Sequence, residues 1–264
     1  MADAVTREQG FVASAAGDWT MMESAFPLSI VFLMMGLSAS VVGKWQMKVG
    51  ARKALAFSSV AFGGGCLAGA AGIHFHYLPL LYAGYGALAG TGLGLAYTPP
   101  VQTLMQWFPD KKGIASGLTI AGFGSGALVF TPAVQTLMQK FSTLPEYLGP
   151  AGDFTTKFQD GKLFAEVVSS SGSQLVEVVQ AGAAEIAKLP SAYDMAEGLY
   201  VVGSGSTGAA QALAVMGAAY FSVIFASACT MKKPHESYVP DAMKAVATAG
   251  AASSGGGTAS SNNN

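Results

Sequence analysis

Uncharged, largely apolar stretches alternate with short polar segments along this chain. The longest stretch, residues 54–109, contains no Asp, Glu, Lys or Arg. Three further uncharged stretches cover residues 24–43, 113–139 and 198–231. One bilayer crossing takes about 20 mostly apolar residues, so the longest stretch can cross a membrane, turn and cross back. The pattern predicts an integral membrane protein.

The apolar stretches are rich in Gly, Ala and Ser, which is typical of helices that pack on other helices in lipid. Backbone polar groups inside hydrocarbon need partners, and a helix supplies them within one segment. We therefore expect an all-α integral membrane protein with about five transmembrane helices. The predicted spans are residues 26–43, 54–73, 79–107, 113–140 and 199–230.

These spans divide the chain into regions of different composition. The regions are an N-terminal segment (1–25), four helices (26–140), an insertion (141–198), the fifth helix (199–231) and a tail (232–264). The insertion alternates acids with Leu163, Val167, Leu175, Val178, Val179 and Ile186. That pattern predicts one or two amphipathic helices, interrupted at residues 169–173. The tail is rich in Ala, Ser, Gly and Asn, and we expect disorder from about residue 245.

Lysine and arginine positions predict the orientation. Basic residues cluster after the first, third and fifth spans, at Lys44, Lys48, Arg52, Lys53, Lys111, Lys112, Lys232 and Lys233. Short basic loops face the cytoplasm or an organelle interior. We therefore expect an exoplasmic N-terminus and insertion and a cytoplasmic or organelle-interior C-terminus, in a membrane that the sequence leaves open.

Glycines recur every four residues inside several spans. Gly86, Gly90 and Gly94 form one such row, and Gly65 and Gly69 form another. The fourth span has similar rows at Gly113 and Gly117 and at Gly122 and Gly126. Such rows let helix backbones approach closely, so they predict helix packing.

An eleven-residue segment, 98–108, recurs as residues 131–141 with nine identical positions. Thr98, Gln102 and Gln106 share one helix face, and so do Thr131, Gln135 and Gln139. These polar faces are consistent with hydrogen bonds between helices or with a water-lined cavity.

Residues for catalysis or for binding a cofactor do not form a recognisable set. Cys66 and Cys229 are too few for a zinc site, and His74 and His76 are interpreted as part of an interfacial aromatic turn. The sequence predicts no enzyme activity, no cofactor and no metal site, and nothing indicates a nucleic-acid partner.

The segment 43–53 resembles the loop between helices two and three of the major facilitator superfamily of secondary transporters. Gly43, Lys48, Gly50 and Arg52 match the positions of that family motif, and Met47 replaces its acid. Residues 92–101, 107–117 and 121–126 resemble helices four and five of the oxalate/formate antiporter-like, monocarboxylate-type branch. Pro234 and residues 238–240 resemble the exit from helix six.

The resemblance covers residues 26–140 and 199–240 and implies a partial N-terminal bundle of this fold, without its first helix. It implies alternating-access transport of small organic anions, with a gate loop at Gly43, Lys48, Gly50 and Arg52. The implied substrate path comprises Tyr97, Thr98, Gln102 and Thr131. The implied partners are the lipid bilayer, a small carboxylate, and a chain supplying the absent helices or a larger membrane complex. The alternative is a non-transporting structural membrane subunit derived from a transporter fold.

Overall fold

The structure is a computed structural model that describes residues 18–159, 161–169, 172–186 and 195–232. Most of the predicted N-terminal segment lies outside the described residues. So does the tail beyond residue 232, which includes the segment predicted to be disordered and the match at Pro234 and residues 238–240.

Five long helices form a bundle. They are α1 (Met21–Val49), α2 (Ala51–His74), α3 (residues 78–107), α4 (Lys112–Phe141) and α6 (Ala209–Thr230). Within α3, a π-helical segment, Tyr82–Ala89, lies between α-helical segments Leu78–Leu81 and Gly90–Trp107. In the described part of the chain, α1, α2, α4 and α6 are long and apolar enough to cross a membrane, and α3 carries no charged residue. The prediction of an all-α membrane bundle with about five helices is confirmed, with a small sheet in addition.

Helix α1 begins five residues before the predicted start and ends six residues after the predicted end. Thr20 and Glu23 form a capping box: the Thr20 hydroxyl accepts from the Glu23 N–H, and the Glu23 carboxylate accepts from the Thr20 N–H at 2.8 Å. This box satisfies backbone donors at the helix start, so the helix begins at Met21. The Thr-x-x-Glu signal was present in the sequence, although the hydropathy pattern alone indicated a later start.

Glycines bring α1, α2 and α3 into close contact. A Cβ at Gly65 would meet the backbone of Ala89, and a Cβ at Gly90 would lie 2.9 Å from the Cα of Val31. The predicted glycine rows of α2 and α3 are therefore confirmed as packing surfaces. The prediction for α4 was wrong, because nothing lies within 4 Å of a Cβ built at Gly113, Gly117 or Gly122.

The insertion forms a five-stranded antiparallel sheet in the order β1-β5-β4-β3-β2. The strands are β1 (Tyr147–Gly149), β2 (Thr156–Gln159), β3 (Lys162–Ser169), β4 (Gly172–Ala181) and β5 (Gly198–Val201). A 3₁₀ turn (Ala151–Asp153) and a short helix α5 (Ala183–Ile186) accompany them. The prediction of amphipathic helices here was wrong; β3 pairs with β4 through Ser169 and Gly172, near the predicted break.

Side chains from alternate positions of the strands fill two small clusters, which explains why this segment forms strands. Ala165, Val178 and Leu199 make one cluster, while Val179, Ala181 and Tyr200 make the other. Neighbouring residues such as Val178 and Val179 thus fall into different clusters, as the two-residue period of a strand requires. Valine also favours strands. Burial, together with the nearby Tyr147 phenol, raises the pKa of Tyr200.

The last long helix begins at Ala209, ten residues after the predicted start. Residues 198–201 belong to β5 instead. Gly208 precedes the helix with φ +68°, and a Cβ there would lie 2.8 Å from the Met138 carbonyl oxygen. Only glycine tolerates both this backbone conformation and this close approach to α4.

Candidate functional site

The basic segments that join α1 to α2, join α3 to α4 and follow α6 lie together at one end of the bundle. Arg52, at the start of α2, donates from Nε to the Ala228 carbonyl oxygen at 3.3 Å and from Nη2 to that of Cys229 at 2.9 Å. Trp107, at the end of α3, donates from Nε1 to the Lys232 carbonyl oxygen at 3.1 Å. The ends of α3 and α6 and the start of α2 are thereby joined.

The sheet is attached to the opposite ends of α4 and α6. Thr143 and Ser206 exchange backbone hydrogen bonds of 2.9 Å just after α4 ends and just before α6 begins. Tyr82, near the start of α3, donates from its hydroxyl to the Glu23 carbonyl oxygen at 2.9 Å near the start of α1. Short polar contacts therefore connect neighbouring helices at both ends of the bundle.

The predicted gate loop is largely helical. Gly43 and Lys48 lie in the last turns of α1, and Arg52 is the second residue of α2. Gly50, with φ +92°, is the single residue between the two helices, so the expectation of a loop from residue 43 to residue 53 was wrong. Glycine tolerates this left-handed conformation, which lets the chain reverse direction within one residue.

A cavity of about 650 Å³ lies between α2, α3, α4 and α6. Most of its wall is apolar and comes from α4. The lining residues are Phe62, Leu93, Ala96, Gly122, Phe123, Gly126, Ala127, Phe130, Thr131, Val134, Gln135, Met138, Tyr220 and Ile224. The volume falls within the range of about 300–1,000 Å³ that is typical of small-molecule sites.

Aromatic rings form one side of this cavity. The ring of Tyr220 lies 4.7 Å from that of Phe130 and 5.4 Å from that of Phe62, measured between centroids. Thr131 and Gln135 lie one helical turn apart on α4. Together with Tyr220 they supply hydroxyl and amide groups, which can donate hydrogen bonds to a ligand oxygen.

The four predicted substrate-path residues are only partly brought together. Thr131 lines the cavity, and Tyr97 packs edge-on against Phe123, a lining residue, with ring centroids 5.7 Å apart. Thr98 and Gln102 are not among the described residues that line the cavity. Thr98 is half-buried, and Gln102 is exposed. Tyr220 was not among the predicted site residues, because a tyrosine in an apolar span carries no local motif.

The two copies of the repeat have different surroundings. Thr103 in the first copy is 7% exposed, and its hydroxyl lies 3.6 Å from the Met231 sulfur. The matching Thr136 is exposed and donates to the Pro132 carbonyl of its own helix at 2.9 Å. Nearly identical sequences therefore form different contacts, because α3 has neighbouring helices at this position whereas α4 has few.

Among the described residues, no group of three or more His, Cys, Asp or Glu side chains could hold a metal ion. Cys66 is buried in α2, and Cys229 is exposed near the end of α6. Both thiols are free and lie on different helices.

Known proteins resemble segments of this chain. Over 120 residues it is 38% identical to apicoplast pyruvate carrier 1 of Toxoplasma gondii, a match that covers 44% of this chain and 21% of that protein. Over 51 residues it is 53% identical to the oxalate:formate antiporter of Oxalobacter formigenes, covering 19% of this chain and 12% of the relative. Monocarboxylate transporter 9 of Rattus norvegicus is 31% identical over 93 residues, with 35% and 18% covered.

The matched segments therefore span between 12% and 21% of the length of these three curated relatives. A family model matches more of the chain. The model of the Major Facilitator Superfamily covers residues 8–151, which include α1 to α4 and end at the beginning of the sheet region. With more than half of its residues matched by that model, the chain belongs to the Major Facilitator Superfamily.

Proposed function

We propose that this chain acts in the transport of small organic anions across a membrane, as a transporter or as part of one. The observation that carries the proposal is the cavity between α2, α3, α4 and α6 in a member of a transporter superfamily. The names of its relatives refer to pyruvate, oxalate, formate and monocarboxylates, all of which are small carboxylates.

The proposed substrate contacts are hydrogen-bond donors around an apolar cavity. A carboxylate accepts hydrogen bonds, and the Thr131 hydroxyl, the Gln135 amide and the Tyr220 hydroxyl can donate them. The aromatic rings would contact the carbon skeleton of the substrate. Tyr97 packs edge-on against Phe123, while Thr98 and Gln102 are proposed to extend the path toward the basic end of α3.

The junction of Gly43, Lys48, Gly50 and Arg52 is proposed to act as a gate at the basic end. Arg52 holds the C-terminal carbonyls of α6, so a movement of α2 relative to α6 would break two hydrogen bonds. Alternating access requires helices to rock against one another around a fixed site. A contact between helix ends that can open and close fits this requirement.

The proposed orientation places the basic junctions in the cytoplasm or an organelle interior and the sheet on the exoplasmic side. The short junction at residues 108–111 contains Lys111, and Arg52 and Lys48 lie at the same end of the bundle. Positive residues in short loops favour the inner side of a membrane. A further chain that supplies more helices is part of this proposal.

Uptake into proteoliposomes tests the proposed transport. The purified chain should accumulate labelled pyruvate, oxalate or formate above empty vesicles, alone or with a co-purified partner chain. Thr131→Val and Tyr220→Phe, which remove cavity hydroxyls, should each reduce uptake several-fold with little loss of folded protein. Thr136→Val is the matched control, because the Thr136 hydroxyl bonds its own helix. Equal flux in protein-containing and empty vesicles, with and without the partner, would contradict the proposal.

The second candidate function is a non-transporting structural subunit derived from the transporter fold. The sheet favours it: β2 to β5 lie beyond the residues matched by the family model and form a separate folded surface. Under this hypothesis the chain co-purifies in fixed stoichiometry with a larger membrane complex. Deleting residues 146–205 would release it from the complex, whereas the cavity variants would leave assembly intact.

A further inference from the structure

Helix α3 lacks two consecutive backbone hydrogen-bond donors, because Pro99 and Pro100 both lie inside it. In an α-helix the N–H of residue 99 would donate to the carbonyl oxygen of residue 95, but proline has no N–H and its ring crowds that carbonyl. The Leu95 carbonyl therefore lacks its ordinary helical donor. In the apolar interior of a membrane protein, such a group needs another partner.

Gln46 of α1 supplies that partner. Its side-chain Nε2 donates to the Leu95 carbonyl oxygen at 3.0 Å across the interface between the two helices. Gln46 is only 4% exposed, and its Oε1 has no hydrogen-bond partner among the described residues. The amide is thus held in place by the bond that it donates.

The packing of α1 against α3 explains how Gln46 reaches this carbonyl. Gly94 precedes Leu95, and a Cβ at Gly94 would lie 2.6 Å from the Met35 carbonyl oxygen. The two backbones therefore approach closely beside the proline. Gln46 lies about three turns after Met35, near the end of α1, and its side chain extends to the Leu95 carbonyl.

We propose that Gln46 is a positioning residue that replaces the donor lost at Pro99 and fixes the course of α3 at this break. The α3 residues just before the break, Leu93 and Ala96, line the cavity, and Trp107 after it bonds to Lys232. The Gln46 amide therefore connects the junction around Gly50 to the cavity wall. This inference concerns the helix pair itself and does not depend on which molecule is transported.

A double-mutant cycle tests the proposal with the full chain in detergent. Gln46→Met keeps the length of the side chain and removes the donor, and Pro99→Ala restores an N–H for the Leu95 carbonyl. In the wild-type background, Gln46→Met should raise the unfolding equilibrium constant by about three- to tenfold, the usual size of one lost hydrogen bond. In the Pro99→Ala background, the same substitution should change the constant by less than about twofold, because the helix then supplies its own donor.

The rate of trypsin cleavage at Lys111 and Lys112 gives a second readout, since these residues follow the segment of α3 beyond Pro99. Cleavage should be faster in Gln46→Met and return toward the wild-type rate in Gln46→Met/Pro99→Ala. Gln106→Met is the matched control, because Gln106 is an exposed glutamine in α3, the helix that contains Pro99.

Two outcomes overturn the proposal. One is that Gln46→Met has no effect on stability or cleavage, and the other is that its effect is equal in the wild-type and Pro99→Ala backgrounds. A Gln46→Met chain that folds only when it also carries Pro99→Ala supports the proposal, since the restored backbone donor then replaces the lost amide.

Discussion

At the scale of single residues, several polar side chains in this bundle donate hydrogen bonds to backbone carbonyls of neighbouring helices. Arg52 donates to two carbonyls at the C-terminal end of α6, and Ser58 donates to the Gly92 carbonyl at 2.8 Å. The last carbonyls of a helix have no donors within the helix, and a cation also interacts favourably with the negative end of the helix dipole. A residue of the family motif thus has a definite structural task here, independent of transport.

Replacing Arg52 should weaken the attachment of α6. We expect Arg52→Ala to lower the free energy of unfolding by about 1–2 kcal/mol, because hydrogen bonds to charged groups are worth about 1.5–3 kcal/mol and solvent around the exposed Arg52 side chain reduces that value. Arg52→Lys should recover part of this loss, since an ammonium keeps the charge but not the two-point geometry. Equilibrium unfolding in mixed micelles measures both changes.

Lys53→Ala provides the control for Arg52, because it removes a neighbouring exposed positive charge. It should change the free energy of unfolding by less than about 0.5 kcal/mol. If Lys53→Ala and Arg52→Ala destabilise the chain equally, the effect arises from the charge of the junction rather than from the capping of α6.

At the scale of helices and strands, the same residue type has different consequences in different elements. Glycines of α2 and α3 allow close packing, whereas Gly113, Gly117 and Gly122 of α4 face open space. The spacing of glycines in the sequence is similar in these helices, so spacing alone cannot tell a packed row from an open one. Whether a row is used depends on which helix lies beside it.

Two adjacent glycines of α2 separate these effects. A Cβ at Gly65 would overlap the backbone of Ala89, while nothing lies within 4 Å of a Cβ at Gly64. We expect Gly65→Ala to reduce the free energy of unfolding by about 1–3 kcal/mol through overpacking against a backbone that cannot rotate away. Gly64→Ala should be neutral or stabilise the helix by up to about 1 kcal/mol.

Thermal unfolding of the two purified variants in the same detergent makes this comparison direct. A loss of stability in Gly64→Ala equal to that in Gly65→Ala would mean that α2 does not pack on α3 through this surface.

At the scale of the whole molecule, the directions of the helices decide where the basic and acidic segments lie. Contacts of Gly86 with Ile30 and of Gly94 with Met35 make α1 and α3 parallel, and contacts of Gly65 with Ala89 and of Gly72 with Leu81 make α2 antiparallel to α3. The junctions after α1 and α3 therefore share one end of the bundle, and the sheet lies at the other end. This arrangement agrees with the alternation expected for a chain that crosses a bilayer repeatedly.

Labelling with a membrane-impermeant maleimide tests the arrangement in vesicles. In a Cys229→Ser background, Lys48→Cys and Lys111→Cys should react from the same side of the membrane, and Lys157→Cys in β2 should react from the opposite side. All three positions are exposed, so access to the reagent is not limited by burial. Reaction of Lys157→Cys and Lys111→Cys from the same side would contradict the topology.

The sequence by itself determined the features that depend on composition along the chain. Uncharged stretches predicted the membrane helices, since lipid excludes charge and requires internally bonded backbone. The sequence also contained the glycine rows of α2 and α3 as a four-residue spacing, and it contained the motif residues Gly50 and Arg52. The sheet was not predicted, because its apolar residues, such as Leu163, Val167 and Val178, also fit a helical spacing.

The tertiary structure alone decided which residues meet. It placed Tyr220 of α6 and Thr131 of α4 in the wall of one cavity, and it joined Gln46 of α1 to the Leu95 carbonyl of α3, which Pro99 leaves without its helical donor. It also left open space beside Gly113, Gly117 and Gly122 of α4, although their spacing matches that of the packed rows. Local patterns fix the type of an element through backbone hydrogen bonding and side-chain period, whereas contacts between residues far apart in the chain depend on how the elements are packed.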